Sequence, residues 1–211
     1  MTGVSRAYLW LFSLAVLAAQ SLAHAADRSF YEQYPFGLAY FYGVTGYDPL
    51  GSIVFGGGFH RWPEHIQSVE ITYTVPEKNI FSRIFKPITN IFQITANITE
   101  RNDQGRHILE FNPYFGGRWA DFPWNCYINT TFAIGEGISY TTSIPSLEAK
   151  SSTETKRLLN YLMLEATFAL PDEPRLQVLV RIHHRSGAYG LYHAGNTGSN
   201  DLGMGIRYWF D

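Results

Sequence analysis

The chain has a single cysteine, Cys126, so no internal disulfide can brace it and the fold must stand on packing and hydrogen bonds alone. It also lacks a basic block. Its 16 Lys and Arg stand against 18 Asp and Glu, a net charge of -2, and this balance argues against nucleic acid as a partner. Beyond the first residues there is no apolar run of the ~20 residues that a membrane-crossing helix needs. There is no internal repeat and no linker, so the mature chain suits one domain.

What the sequence does have is an excess of ring side chains and glycine: 14 Tyr, 15 Phe, 5 Trp and 19 Gly. Aromatics and Gly spread over many short strands suit a transmembrane β-barrel, whose rims carry aromatic girdles. The N-terminus points to export. Arg6 precedes the apolar run Leu9–Ala19, and Ala23-His24-Ala25 is a small-x-small cleavage pattern, which predicts a signal peptide over residues 1–25 and a mature barrel over 26–211.

The last strand carries the pattern most clearly. Leu202, Met204, Ile206, Tyr208 and Phe210 share one face, and Asp201, Gly203, Gly205, Arg207 and Trp209 share the other. A period of two with the apolar set towards lipid and the polar or small set inside is the signature of a barrel stave. Eight such staves are expected: Phe36–Thr45, Gln67–Pro76, Asn90–Thr99, His107–Tyr114, Ile128–Tyr140, Arg157–Leu170, Leu176–Ser186 and Asn200–Phe210. The Gly-rich Ile53–His60 stretch is a further candidate for pairing. The reading is an all-β, eight-stranded antiparallel transmembrane barrel in the bacterial outer membrane. Pro171–Pro174 and Arg118–Asn125 then read as periplasmic turns, and Ser143–Thr155 and Gly187–Ser199 as extracellular loops.

On the seventh stave Val178, Val180 and Ile182 share a face with His184 and Ser186, so that face must meet lipid. Polar groups on a lipid-facing wall are costly and point to function. Ten residues at ~3.3 Å, tilted by ~45°, rise about 23 Å, which places both groups near the outer-leaflet edge. By the same parity Asn200, Asn160 and Glu136 face outwards on neighbouring staves, and the five form a polar patch. A Ser with a His two residues away is a candidate nucleophile and base, provided a third group orients the imidazole. Gln177, Leu179, Arg181, His183 and Arg185 face the lumen, where His183 and Arg185 are expected to pair with Glu165 or Asp201.

The segment Arg181-Ile182-His183-His184-Arg185-Ser186-Gly187-Ala188, with Gly198-Ser199-Asn200 and the terminal Gly205-Ile206-Arg207-Tyr208-Trp209-Phe210, resembles the lipid A 3-O-deacylase (PagL) family of outer-membrane barrels. The likeness is specific over the last ~35 residues and architectural before them. It implies an esterase that removes an ester-linked acyl chain from lipid A of lipopolysaccharide in the outer leaflet, without cofactor or metal. Ser186 would then be the nucleophile, His184 the general base, and the Gly187 N–H an oxyanion donor. The family usually has Asn where this chain has Gly187, and Glu where it has Asn200. Asn200 would therefore orient His184, or Asp201 if a bulge shifts the parity; Glu136 is a more distant candidate for that role.

Overall fold

The computed structural model describes residues 28–211; the expected signal peptide lies outside them. Nine β-strands are present among the described residues: β1 (Phe36–Gly46), β2 (Arg61–Thr74), β3 (Ile91–Asp103), β4 (Arg106–Phe111), β5 (Tyr114–Trp119), β6 (Asn129–Thr141), β7 (Leu158–Leu170), β8 (Glu173–Ser186) and β9 (Gly198–Phe210). Every pairing is antiparallel, and β9 pairs with β1, so the sheet closes on itself. β4 and β5 both lie between β3 and β6, so they are two halves of one stave, and the ring has eight. The expected fourth stave ran unbroken to Tyr114. In fact it breaks at Asn112-Pro113, because Pro113 has no N–H for the ladder, and it resumes as far as Trp119. Arg118 and Trp119 therefore belong to a strand and not to a turn. The Ile53–His60 stretch adds no strand; residues 50–54 form the short helix α2 (Leu50–Val54) instead.

Burial alternates along each stave, and its sense is inverted relative to a water-soluble protein. Lys, Glu and Arg are rarely buried in soluble folds, yet Arg101, Arg118, Arg181, Arg185 and Arg207 are among the largest fully buried side chains here. Leu38, Val69, Ile71, Ile98, Ile134, Val178, Met204 and Ile206 are exposed on the outside. An apolar outer wall and a polar interior identify a transmembrane barrel. By the rule for such barrels the end carrying Phe36 and Phe210 is periplasmic.

The lumen is packed with buried, mutually paired charges. Glu165 accepts from Arg118 (2.8 Å) and Arg181 (3.0 Å), and Glu70 from Arg181 (2.7 Å) and Arg207 (2.6 Å). Nearer the cell surface Arg101 pairs with Glu110 (2.6 Å), Asp201 (2.8 Å) and Glu64 (3.1 Å). Charges removed from water this completely are tolerable only when each is paired and hydrogen-bonded. The helix α1, over residues 28–33, closes the lower mouth, with Tyr31 set edge-on against Trp209 at 4.9 Å. The helix α4 (Ser146–Ser151) closes the upper one, where its Glu148 reaches Arg185 (2.8 Å) and Ser199 (3.0 Å).

Strand stagger fixes the height of everything on the wall. The row of paired residues that starts at Phe210 runs through Phe36, Tyr73, Ile94, Phe115, Glu136, Leu162 and His184 and returns to the same strand at Asn200. Such a helical row means that the strands tilt against the barrel axis.

Candidate active site

His184 and Ser186 lie two residues apart on β8 and share the outward face. β8 and β9 pair without a shift through this region, with His184 opposite Asn200 and Ser186 opposite Gly198. Directly opposed residues in antiparallel strands bring their side chains close, and His184 Nδ1 meets Asn200 Oδ1 at 2.7 Å.

The other end of the Asn200 amide settles which atom faces the imidazole. Asn200 Nδ2 donates to the main-chain carbonyl of Asp48 at 2.8 Å. A carbonyl only accepts, so the NH₂ group must point to Asp48 and the oxygen to His184. His184 is thereby a donor through Nδ1–H, which leaves Nε2 as the basic nitrogen.

Asp48 is held in turn. His60 donates its main-chain N–H to Asp48 Oδ2, and its ring Nδ1 lies 2.8 Å from Asp48 Oδ1. The main-chain N–H of His60 is the main cause that holds the Asp48 carboxyl below its ordinary range. Beside it the Phe59 ring sits over Gly46, the β1 partner of Asn200. A Cβ at Gly46 would come within 2.4 Å of that ring, so glycine is what lets the loop over residues 47–60 fold down against the wall. Asn200 is only 6% exposed as a result.

Ser186 is less engaged. Its Oγ accepts from the main-chain N–H of Ala188 at 3.4 Å, and it makes no hydrogen bond to His184 in this arrangement. Their Cα atoms are roughly 7 Å apart, a separation that side-chain rotation on one strand face can close. Asn160 is the direct β7 partner of Ser186.

Four expectations are corrected. The Gly187 N–H does not face the site: it donates to the Thr197 carbonyl at 3.0 Å and closes the loop. A Cβ at Gly187 would lie 2.6 Å from the Gly195 carbonyl, so this glycine serves the tightness of that loop. Asp201 stays in the lumen, since no bulge interrupts the β8–β9 register, and its carboxylate is taken by Arg101 and Thr45. Glu136 shares the His184 row, but the Leu162 strand lies between them, and the row descends towards the periplasm from His184 to Glu136. His183 and Arg185 do face the lumen, but their partners are Glu110 (3.1 Å) and Glu148 (2.8 Å) instead of Glu165 or Asp201.

Asp48 and His60 were not legible as parts of the site. Asp48 acts through its main-chain carbonyl, and a carbonyl leaves no mark in a sequence.

A scan of protein-family models and a search of curated proteins both find no match. Among solved structures the chain is similar to the outer membrane enzyme PagL, at 16% identity, with a TM-score of 0.51 over 82% of this chain and 98% of that one. A weaker likeness is to Ail, the attachment invasion locus protein of Yersinia pestis, at 10% identity and a TM-score of 0.35 over 84% and 99%. The fold is that of an outer-membrane barrel.

Proposed function

We propose that this protein is an outer-membrane esterase that removes an ester-linked acyl chain from lipid A of lipopolysaccharide. The observation that carries the reading is the relay from the Asp48 carbonyl through Asn200 to His184 Nδ1, on a lipid-facing wall beside Ser186. A lumen residue would have no access to lipid; this pair has it.

In the reaction Ser186 Oγ forms a bond to the ester carbonyl carbon while its proton passes to His184 Nε2. Negative charge then collects on the former carbonyl oxygen, where a side-chain N–H donor contributes most. We assign that donor to the side chain of Asn160, the direct strand partner of Ser186. Collapse breaks the ester C–O bond, and the departing sugar oxygen takes the proton from Nε2. Water then attacks the acyl-Ser186 intermediate while His184 Nε2 accepts its proton; the bond from the acyl carbon to Ser186 Oγ breaks, Oγ takes that proton back from Nε2, and the fatty acid leaves. Asn200 holds the tautomer throughout, as the amide of a Cys–His–Asn site does.

A second reading has an observation in its favour. Ser186 is not hydrogen-bonded to His184, and an amide stabilises an imidazolium less than a carboxylate does, as befits a non-catalytic lipid-binding barrel. Mass spectrometry of lipid A from cells producing the wild-type chain, Ser186→Ala or His184→Ala separates the two. The esterase reading expects a missing acyl chain only with the wild type, since removing base or nucleophile costs at least ~10²-fold. Unchanged lipid A in all three, with every variant folded, establishes the non-catalytic reading.

A further inference from the structure

The break at Pro113 leaves a second feature on the wall, well away from β8. The β3–β5 pairing ends at Thr95 and Tyr114, and the β3–β4 pairing begins at Ile98 and Phe111, so the ladder is interrupted between them. A groove of about 610 Å³ opens there, lined by Ile94, Pro113, Phe115 and Ile138 and floored at its lower end by Phe85 and Phe92. That size lies in the range of small-molecule sites.

The lower end is built by the periplasmic loop over residues 75–90, which folds against the outside of the barrel. Its helix α3 (Ile80–Phe85) stacks Phe85 on the outward-facing Phe92 at 4.8 Å, and Phe92 in turn lies 5.9 Å from Phe115. The methyl of Thr89 occupies the place where a Cβ on Gly117 would be, at 2.6 Å. Trp119 Nε1 donates to the Ile88 carbonyl at 2.9 Å. The loop is thus pinned to the wall by packing and hydrogen bonds, while Ile80, Phe81, Ile84 and Ile88 stay exposed.

An amphipathic segment at this height lies in the headgroup region of the inner leaflet. It carries Lys78, Arg83 and Lys86. Lys86 is paired with Glu77 at 2.8 Å, whereas Lys78 and Arg83 have no acidic partner among the described residues.

We propose that the groove holds one acyl chain of an inner-leaflet glycerophospholipid, whose phosphate is held by Lys78 and Arg83. The apolar lining suits the chain, and the two uncompensated cations at the periplasmic end suit the phosphodiester. The surrounding leaflet supplies the ligand at high concentration. The site is separate from Ser186, and its existence does not depend on the esterase reading.

The test is native mass spectrometry of the full chain reconstituted in bilayers of phosphatidylethanolamine and phosphatidylglycerol, then released into mild detergent. The wild type is expected to retain one phospholipid. Ile94→Trp fills the groove and abolishes retention. Lys78→Glu and Arg83→Glu each lower it about fivefold, the weight of one cation at an anionic surface. Ile206→Trp, on the distant β9 wall, retains the lipid as the wild type does. Heat-modifiable gel mobility shows that each variant is folded. Equal retention by the wild type and Ile94→Trp, or none by the wild type, overturns the proposal. So does a groove filled by lipopolysaccharide or by a second copy of the chain, each recognised by its mass.

Discussion

Two histidines stand side by side on β8 and face opposite ways. His183 is fully buried in the lumen and bonded to Glu110, within a network in which Arg101 and Arg185 are also paired. His184 faces lipid and is oriented by an amide that the fold has itself oriented. The lumen uses full charges in quantity to hold the barrel together. The wall beside Ser186 uses a few polar groups instead, His184 and Asn200 being held by a single chain of hydrogen bonds that ends on the Asp48 carbonyl. Strength of interaction therefore marks structure here, and sparse, directed polarity marks the candidate chemistry.

The lumen is where the comparison is most easily broken. Glu165→Gln leaves Arg118, Arg181 and Arg207 short of a buried carboxylate. Loss of one partner from such a cluster costs about 3–5 kcal/mol. Urea unfolding in lipid vesicles should show that loss.

The apolar wall comes next. Val180→Arg or Ile182→Arg exposes a charge to hydrocarbon and should cost about 2–4 kcal/mol near mid-membrane by the same measurement, less towards the rim. Arg at the neighbouring Leu179 is not a benign control, although Leu179 faces inwards, because it is fully buried in an apolar cluster with Ala39, Phe41 and Ile66.

The amide relay sharpens the contrast. Asn200→Ala should lower deacylation about 10²-fold with stability nearly unchanged, within the range for losing a properly poised base. Asn200→Asp should not rescue the rate, since it sets a carboxylate oxygen against the Asp48 carbonyl. Kinetics on purified lipopolysaccharide would read both. His183→Ala should do the reverse and cost about 1–3 kcal/mol of stability while leaving the rate intact.

The smallest effect lies outside the hydrocarbon, in the periplasmic loop over residues 75–90. The hydrogen bond from Lys86, with its charge, holds the Glu77 carboxyl below its ordinary value of 4.5. Its stabilisation is present above the unfolded value and is lost as pH falls from there through the lowered one. The pair is exposed, so Lys86→Ala should change stability by no more than ~0.5 kcal/mol and flatten the profile only below that pH.

Much of this architecture was legible from a period of two. The eight staves, the outward face of His184 and Ser186 and the inward face of Arg181, His183 and Arg185 all followed from side-chain alternation. Partners in the lumen did not, because they join strands across the barrel: Arg181 meets Glu70, and His183 meets Glu110, by a register that no local pattern encodes. The stave break was foreshadowed by Pro113, yet its neighbours kept strand character. Gly187 misled because its N–H answers to Thr197, ten residues further on.

The β1–β9 seam has a consequence in time. Asp48 follows the first strand and Asn200 lies on the last, so the carbonyl and the amide meet only when the ends of the chain find each other. Contacts of such long sequence separation form late and slowly. An unfinished barrel on its way to the membrane would carry both Ser186 and His184 on β8 and still lack the group that sets the tautomer. Ring closure would then also switch on the chemistry, and a precursor would meet lipid esters with its base unset.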